Sequence, residues 1–518
     1  MVATSLRLAH LLPAPSAAQL PRAFVDLAVS GVALDSRRVQ PGDLFIALKG
    51  QADDGARYVG AAAARGAIAA LIEGDAVGPF PAAIPCMKIP RLRVMVGDIA
   101  DRCAGMPSAA LSLVGVTGTN GKTTVTWLLA QLLEGVGVPC GVLGTLGSGF
   151  AGHIEGGQLT TADVVTNHQT LKHMVARGAR VAAMEVSSHA LDQQRVAGLR
   201  FAVAVFTNLT RDHLDYHGSM AAYAEAKQRL LAWPGIAARV INLDDEQGRR
   251  WAKCEGPRLL GYSIDAHGDG TGNGIDADVR FVSRAVSAGT VAGHMHTPVG
   301  MLQVDTQLIG RFNASNLTAV VATALALGIE LSDIERVLPT LTPAPGRMQR
   351  FGASDDVLVV VDYAHTPDGL EKALTALRAL TRGRLWCVFG CGGDRDRGKR
   401  PLMAAVADRL ADCVVLTDDN PRSEDPEQIF ADARSFTDQP AVANHAALFD
   451  KPGAVKHAEW RAEHDRARAI ADAVVAAAPG DVVLIAGKGH ETYQEIGGIR
   501  HDFSDAAAVQ AALKRRAS

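Results

Sequence analysis

The chain has 518 residues, with 52 Lys plus Arg against 55 Asp plus Glu and a formal net charge of −3. This balance excludes a protein that coats nucleic acid or an anionic membrane through bulk charge. Hydrophobic residues make up 48% and charged residues 21% of the chain, which excludes disorder as the dominant state and predicts a globular protein of about three domains.

The cysteines and the N-terminal segment predict the compartment. The seven cysteines are scattered and form no C-x-x-C pair, which argues against a disulfide framework and a zinc ribbon. Cys387 and Cys391 flank a predicted turn, and we expect free, buried thiols there. The chain shows no signal-peptide core and no run of about 18 apolar residues, so we expect a cytoplasmic protein without membrane insertion.

Residues 1–107 predict a small α/β domain without a nucleotide motif. Short strands and turns are predicted over residues 31–50, where Pro41-Gly42-Asp43 is typical of a turn. Residues 61–70 are rich in alanine and predict a short helix. A domain break is predicted near residues 106–108.

Alternation of strands and helices dominates the rest of the chain. In residues 108–342 strands are predicted at 111–116, 140–143, 181–186, 201–206 and 239–242, and helices at 125–133, 164–176 and 220–231. After a Pro-rich linker at 341–346, strands are predicted at 357–361, 385–389, 413–417 and 482–486. This order predicts two further α/β domains, each built on βαβ units and a mostly parallel sheet.

A glycine-rich loop at residues 115–124 is the strongest local signal. It follows a predicted strand and opens a predicted helix, so its backbone N–H groups are expected to point at phosphate oxygens. We expect Lys122 to contact the β- and γ-phosphates and the Thr123 hydroxyl to lie near Mg²⁺. The standard spacing requires glycine where this chain has Val116, so the loop is a variant. The alternative is a glycine-rich turn with an incidental lysine.

Two side chains at strand ends are candidates for a metal site. Glu185 ends one predicted strand and His213 follows another, where parallel sheets bind ligands. Both are candidates for Mg²⁺, although histidine is the weaker ligand for this ion. The alternative for Glu185 is a helix N-cap or a buried ion pair.

Helical spacing alone predicts that Lys227 is a solvated surface lysine.

Four polar clusters follow the predicted strands of the last domain, at residues 362–365, 392–400, 418–422 and 487–491. The carboxyl ends of parallel strands meet at one sheet edge, so these clusters are expected to form one site. Arg395 and Arg422 are suited to a carboxylate and Glu491 to an ammonium group, which predicts an amino-acid-like ligand. The alternative is a set of solvated turns.

Together these motifs resemble the Mur ligase family, the ATP-dependent enzymes that add amino acids in peptidoglycan synthesis, over essentially the whole chain. The family's variant loop GTNGKTT corresponds here to Gly118, Thr119, Asn120, Gly121, Lys122, Thr123 and Thr124. The resemblance implies a UDP-binding N-terminal domain (1–107), a central ATPase domain with a P-loop-type, mostly parallel sheet (108–342), and a Rossmann-like α/β domain that binds the amino acid (343–518).

The resemblance also implies nucleotide, metal and catalytic roles. The residues expected to bind ATP are the seven of the loop together with Asn316, Arg347 and Asp362. Lys227 matches a carbamylated lysine, which reverses the surface prediction because a carbamate is a good oxygen ligand for a second Mg²⁺. The expected metal ligands are Thr123, Glu185, His213 and Lys227, and the catalytic residues are Lys122, Lys227, Glu185 and His213.

For the substrates, the resemblance implies two sets of contacts. The UDP-muramoyl-dipeptide is expected at Leu34, Ser36, Gln51, Ala52, Asp53, Leu159, Thr160, Thr161, Ser187, Gln193 and Arg195. Here the chain lacks the family's His-Gln-Ala at 50–53, and Leu159 replaces the usual asparagine. Residues Asp419, Asn420, Pro421 and Arg422 match the DNPR motif of members that add meso-diaminopimelate, which is also expected at Arg395, Gly487 and Glu491.

The implied reaction joins meso-diaminopimelate to the D-glutamate of UDP-N-acetylmuramoyl-L-alanyl-D-glutamate through an acyl phosphate, with consequences for cell shape and division. Arg422 is expected to pair with the distal carboxylate that lysine lacks. We expect a monomer with small-molecule partners only. The alternatives are a folylpolyglutamate-synthetase-like ligase, without the UDP-binding domain and DNPR loop, and a nucleotide-dependent switch protein that does not ligate.

Overall fold

The computed structural model describes residues 6–14, 20–50, 53–74, 84–157, 159–264, 277–284, 290–352, 356–438 and 457–517. Three mostly parallel sheets follow one another along the chain, and each lies in its own α/β domain. Among the described residues, no helix combines the length and the apolar character needed to cross a bilayer.

The N-terminal domain is built on a four-stranded parallel sheet in the order β3-β4-β5-β6. Its strands are β1 (Leu6–Arg7), β2 (Ala28–Val29), β3 (Gly31–Ala33), β4 (Asp43–Ala47), β5 (Ala69–Glu73) and β6 (Cys86–Ile89). Its helices are α1 (Leu8–Leu11), α2 (Arg22–Val25), α3 (Val59–Ala64) and α4 (Leu92–Ala104).

The helix predicted over residues 61–70 is wrong in its second half. Helix α3 ends at Ala64, and Ala69 already belongs to strand β5. Gly66 has a φ of 97°, a left-handed conformation that stops a helix. The alanines after it are fully buried in the sheet, where burial outweighs their helix propensity.

The central domain contains an eleven-stranded sheet in the order β10-β9-β8-β11-β7-β12-β13-β14-β15-β16-β17, parallel from β8 to β15. The strands are β7 (Ser112–Thr117), β8 (Cys140–Gly144), β9 (Gly147–Phe150), β10 (His153–Glu155), β11 (Val181–Glu185), β12 (Phe201–Phe206), β13 (Ala238–Asn242), β14 (Arg258–Ser263), β15 (Val279–Ser283), β16 (Thr290–Thr297) and β17 (Gly300–Ile309). The helices are α5 (Lys122–Gly135), α6 (Val164–Ala176), α7 (Ser188–Asp192), α8 (Leu214–His217), α9 (Met220–Leu231), α10 (Glu246–Ala252), α11 (Arg311–Ala326) and α12 (Leu331–Val337).

The C-terminal domain contains a six-stranded sheet in the order β18-β19-β23-β20-β21-β22, parallel except at β18. Its strands, including a separate hairpin of β24 and β25, are β18 (Gln349–Gly352), β19 (Leu358–Asp362), β20 (Leu385–Phe389), β21 (Cys413–Leu416), β22 (Glu459–Ala462), β23 (Val482–Ala486), β24 (Tyr493–Ile496) and β25 (Ile499–Asp502). Its helices are α13 (Pro367–Arg378), α14 (Lys399–Leu410), α15 (Pro426–Arg434), α16 (Arg466–Ala476) and α17 (Asp505–Ala517).

Both larger sheets bury apolar side chains on their two faces, as the predicted βαβ order requires. The predicted strands in these two domains agree with the structure to within one residue at each end. Cys387 and Cys391 are free and buried, as predicted. Because the strands are parallel, their carboxyl ends gather the loops that follow them at one edge of each sheet.

A fully buried ion pair holds the last helix against the C-terminal sheet. Arg466 Nε lies 2.7 Å from Asp505 Oδ1, and its Nη2 donates to Asp505 Oδ2 and to the Ala486 carbonyl, each at 2.9 Å. Both side chains are completely excluded from solvent. Loss of either partner would leave an uncompensated charge in the core.

We therefore expect Asp505→Asn to lower the free energy of unfolding of the C-terminal domain by about 3–5 kcal/mol. Asp472→Asn is the matched control, because Asp472 pairs with Arg468 at the surface, and it should change stability by less than about 0.5 kcal/mol. Urea denaturation followed by tryptophan fluorescence measures both. Equal effects of the two variants would contradict the expectation.

Candidate active site

The phosphate loop lies between the end of β7 and the start of α5, as predicted. Thr119 N donates to the Asn208 carbonyl at 2.8 Å, and the Thr207 hydroxyl donates to the Asn120 carbonyl at 2.6 Å. A Cβ atom at Gly121, which has a φ of 90°, would lie 2.4 Å from Asn316 Oδ1. The loop is therefore closely packed against its neighbours, and Asn316 reaches it from α11.

Two lysines donate to the same loop carbonyl. Lys122 Nζ lies 3.0 Å from the Gly118 oxygen, and Lys227 Nζ lies 2.8 Å from it. Lys227 is 1% exposed, so the surface position predicted from helical spacing is wrong. Helical spacing mispredicted Lys227 because the side of α9 that carries it packs against the phosphate loop and does not face solvent. Burial and the nearby Lys122 ammonium lower the pKa of Lys227 far below its usual range.

Glu185 lies at the carboxyl end of β11 and is 1% exposed. Its carboxylate accepts hydrogen bonds from the Thr123 hydroxyl at 3.0 Å, the Thr145 backbone N–H at 2.8 Å and the Thr145 hydroxyl at 3.1 Å. The alternative prediction that Glu185 caps a helix is wrong, because the N-cap of α7 is Ser187. Thr145 was not predicted, because it follows strand β8 without a recognisable motif.

His213 precedes α8 in a left-handed conformation, with a φ of 52°. Its Nε2 lies 3.3 Å from Asp212 Oδ2, and its ring meets that of His189 edge-on at 4.9 Å. Burial lowers the pKa of His213, although the Asp212 carboxylate opposes this. The described residues contain no group of three His, Cys, Asp or Glu side chains that could hold a metal by themselves.

A cavity of about 860 Å³ lies between the central and C-terminal domains. It brings together residues that the sequence predicted for two different substrates and, with His213, for the metal site. The central domain contributes Leu159, Thr160, Thr161, Ser187, Arg195 and His213, and the C-terminal domain contributes Arg395, Asp419, Asn420, Arg422, Gly487 and Glu491. We call this space the interdomain cavity.

Hydrogen bonds fix the central-domain wall of the interdomain cavity. The Thr161 hydroxyl donates to the Glu185 carbonyl at 2.9 Å and accepts from Ser187 N at 3.1 Å. Arg195 donates to the Thr161 carbonyl at 3.0 Å and, through Nε, to Gln193 Oε1 at 2.9 Å. Gln193 therefore contacts Arg195 without lining the cavity, and its side-chain oxygen fixes the position of the Arg195 guanidinium.

A second cavity of about 690 Å³ adjoins the first, since Tyr363 and His365 line both. We call it the nucleotide cavity. Its lining includes the apolar side chains of Ile264, Phe281 and Val291 and six of the residues predicted to bind ATP, namely Asn120, Gly121, Thr124, Asn316, Arg347 and Asp362. Burial raises the pKa of Asp362, which accepts from Met348 N at 2.8 Å.

Two contacts join the phosphate loop to the C-terminal domain. Arg347 donates to the Thr123 hydroxyl at 3.3 Å while its guanidinium lies 4.3 Å from the Tyr363 ring centre. Asn120 Nδ2 donates to Asp368 Oδ2 at 3.0 Å. His365 belongs to the polar cluster predicted after β19, whereas Asp368, in the first turn of α13, was not predicted as a site residue.

The C-terminal-domain wall of the interdomain cavity, where the sequence predicts an amino-acid site, is built from the loops after β20, β21 and β23. Asn420 Nδ2 donates to Glu491 Oε2 at 2.9 Å. Arg422 has a φ of 55°, and its backbone N–H donates to the Glu495 carbonyl of hairpin β24–β25 at 3.0 Å. Its guanidinium donates to the Gly393 carbonyl at 2.5 Å. The hairpin thus fixes the backbone of the loop that presents Arg422.

The described residues predicted for the uridine part, Leu34, Ser36 and Asp53, do not line these cavities. Ser36 begins a short 3₁₀ helix capped by Asp35, whose carboxylate accepts from Arg37 N at 2.9 Å, and Leu34 precedes it. Asp53 accepts from the Tyr58 hydroxyl in the same domain. Gln51 and Ala52 lie outside the described residues.

Models of protein families match all three domains of the chain. The Mur ligase family catalytic domain matches residues 28–103, the Mur ligase middle domain residues 116–324, and the Mur ligase glutamate ligase domain residues 346–489. The chain belongs to the Mur ligase family.

Comparisons with individual proteins support this family assignment. The chain is 50% identical to a UDP-N-acetylmuramoyl-L-alanyl-D-glutamate–2,6-diaminopimelate ligase of Ectopseudomonas mendocina, over 97% of this chain and 98% of the relative. A solved structure with the same enzyme name has 36% identity and a TM-score of 0.69, covering 99% and 100% of the two chains. A folylpolyglutamate synthase of Mycobacterium tuberculosis has a TM-score of 0.57 over 76% of this chain and 92% of its own, and at 18% identity it shows the fold alone.

The Asn120–Asp368 contact predicts a measurable coupling between the two domains. Asp368→Ala removes the partly exposed hydrogen bond from Asn120 together with the Lys372 ion pair, so amide exchange in the phosphate loop and the start of α13 should accelerate about 2- to 10-fold. Lys372→Ala is the control, because Lys372 contacts Asp368 at 2.9 Å and leaves the Asn120 contact in place. Hydrogen exchange with mass spectrometry measures both, and unchanged exchange in the Asp368 variant would contradict the coupling.

Proposed function

We propose that the chain is the ligase that adds meso-2,6-diaminopimelate to the D-glutamate of UDP-N-acetylmuramoyl-L-alanyl-D-glutamate at the expense of ATP. One observation carries this proposal above the others. The interdomain cavity is lined on one side by the threonine pair Thr160–Thr161 and on the other by Arg422 and Glu491, and it adjoins the nucleotide cavity. An acyl donor, an amine and a triphosphate can therefore be held side by side.

In the first step, a side-chain carboxylate oxygen of the D-glutamate attacks the γ-phosphorus of ATP. The bond from that phosphorus to the bridging oxygen breaks, ADP leaves and an acyl phosphate forms. The loop N–H groups and Lys122 offset charge on the phosphoryl oxygens. Gly118, Thr119 and Thr124 complete the loop contacts. Arg347 contributes from the C-terminal domain, since its Nε is buried without a hydrogen-bond partner among the described residues.

Mg²⁺ fits the donor chemistry of this loop. The Thr123 hydroxyl and the Glu185 carboxylate are adjacent oxygen donors, the type that Mg²⁺ prefers. We propose that Thr123, Glu185 and His213 would hold this ion near the phosphates and that carbamylated Lys227 would supply an oxygen ligand for a second Mg²⁺. Bound there, Mg²⁺ supplies positive charge that offsets the negative charge of the phosphate oxygens.

In the second step, the neutral amine of diaminopimelate attacks the acyl carbon, the bond to phosphate breaks, and the nitrogen gives up one proton to the departing phosphate, so that an amide and hydrogen phosphate form. Arg422 and Arg395 line the same cavity and are suited to the distal carboxylate of the amino acid. Asp419, Asn420, Pro421, Gly487 and Glu491 complete this site. Closure of the domains around the ligands would keep water from the acyl phosphate.

The remaining assignments extend the same proposal. The UDP group would bind the N-terminal domain at Leu34, Ser36, Gln51, Ala52 and Asp53, and the muramoyl dipeptide would contact Leu159, Thr160, Thr161, Ser187, Gln193 and Arg195. The domains would span residues 1–107, 108–342 and 343–518. We place the enzyme in the cytoplasm as a monomer, where its product would support cell shape and division.

Substrate dependence tests the function. Release of ADP and phosphate should require both the UDP-linked dipeptide and meso-diaminopimelate. Replacing diaminopimelate by lysine should lower the rate about 100-fold or more, because Arg422 is then left without a carboxylate partner in the cavity. Equal rates with lysine would contradict the amino-acid assignment, and ATP turnover without any amino acid would contradict the ligase assignment.

Carbamylation of Lys227 is tested by labelling. The lowered pKa increases the fraction of Lys227 in the neutral amine form, which is the form that reacts with CO₂. With ¹³C-bicarbonate, the active protein should show a carbamate carbon signal that disappears in Lys227→Arg, and turnover should fall about 100-fold. The exposed Lys253→Arg is the control and should keep both signal and activity. An active protein without a carbamate signal would overturn the assignment.

A further inference from the structure

Lys488 belongs to the polar cluster after β23, and neither the motif analysis nor the proposed mechanism gives it a role. Its side chain is completely buried. A lysine is rarely buried unless its ammonium group is paired. The groups that pair with the Lys488 ammonium therefore indicate what this lysine does in the structure.

The ammonium group of Lys488 lies among three side chains of the amino-acid site. Its Nζ donates to Glu491 Oε2 at 2.8 Å and to Asn420 Oδ1 at 3.0 Å, and it lies 3.9 Å from Asp419 Oδ1. The ring of Tyr493 is 5.6 Å away. Lys488 thus contacts residues of two different loops, after β21 and after β23.

These contacts fix the orientation of the Asn420 amide. Its Oδ1 accepts from Lys488 and from the Glu495 backbone N–H at 2.9 Å, so its Nδ2 must face Glu491, to which it donates. Both donors meet the same oxygen of Glu491, Oε2. The other oxygen, Oε1, has no hydrogen-bond partner among the described residues, and Glu491 lines the interdomain cavity.

The charges of Lys488 and its two carboxylate neighbours also suit a ligand that carries an ammonium group. Asp419 and Glu491 contribute two carboxylates, and Lys488 contributes one ammonium group between them. These three side chains together leave a single net negative charge. One ammonium group of a ligand would neutralise it, while Arg422 stays available for a carboxylate.

We propose that Lys488 is a positioning residue of the amino-acid site, which orients Asn420 and Glu491 so that Glu491 Oε1 receives the distal ammonium group of the substrate. By compensating one carboxylate, Lys488 also favours a ligand whose distal end carries both an ammonium and a carboxylate group. This inference rests on the proposed function, because it assumes that the cavity binds such an amino acid.

The full-length Lys488→Met variant tests the proposal through steady-state kinetics. The KM for meso-diaminopimelate should rise about 10- to 100-fold, as expected for the loss of a charge-assisted hydrogen bond, while kcat and the KM for ATP change less than about threefold. The preference for diaminopimelate over lysine should fall about 10-fold, because the added negative charge favours a purely cationic side chain.

Two further variants separate positioning from structural support. Arg409→Met removes a cation from the same cavity wall, one that pairs with Glu371, and should leave the KM for diaminopimelate within about twofold. Lys488→Arg keeps the cation and should recover most of the affinity. If Lys488→Met does not fold, Lys488→Gln and Lys488→Arg give the same comparison of KM with kcat.

An unchanged KM for diaminopimelate in folded Lys488→Met, or a fall in kcat with KM unchanged, would overturn the proposal. An equal rise in KM in Arg409→Met would also overturn it, since bulk charge would then explain the effect. A wild-type chain that does not turn over diaminopimelate would overturn the proposed function itself, and this inference with it. An active wild type with an unaffected Lys488→Met would overturn the inference alone.

Discussion

The whole site requires that the carboxyl edge of the central sheet and that of the C-terminal sheet face each other. The carboxyl ends of the parallel strands in the central and C-terminal domains border one cavity, and the loops at those ends supply its polar lining. Formation of an amide from a carboxylate needs the activated acyl group and the amine in contact, away from water. Arg347 and Asp368 reach from one domain to the phosphate loop of the other and hold this arrangement.

Buried lysines organise the charge on both sides of the cavity. Beside the phosphate loop, Lys122 and Lys227 donate to a single carbonyl, and each is exposed to the repulsion of the other. Conversion of Lys227 to a carbamate would turn this repulsion into attraction and would add an oxygen ligand for a cation. On the amino-acid side, Lys488 lies between two carboxylates and leaves one negative charge for a ligand.

Much of the fold and part of the site could be predicted from the sequence, because the signals are local. A buried parallel strand is a short apolar run, and the phosphate loop is a contiguous motif between a strand and a helix. The strand ends then predicted that residues as distant as His213 and Glu491 belong to sheet edges that bind ligands. Their meeting in one cavity depends on how the domains pack, which strand patterns do not encode.

Other features depend on tertiary contacts that leave no local pattern. Lys227 has the spacing of a surface residue and is buried because its helix packs against the loop. The alanines after Gly66 have helix propensity but complete a sheet. Thr145 and Lys488 follow strand ends without a distinctive motif, and only the positions of Glu185 and Asn420 give them a role.

The most direct test of the shared cavity is a crystal structure with the UDP-linked dipeptide, meso-diaminopimelate and a non-hydrolysable ATP analogue bound together. The account predicts that the D-glutamate side-chain carboxylate and the attacking amine lie in the interdomain cavity about 3–3.5 Å apart, with the γ-phosphate beside them. Ligands bound in separate cavities, with protein between the carboxylate and the amine, would contradict it.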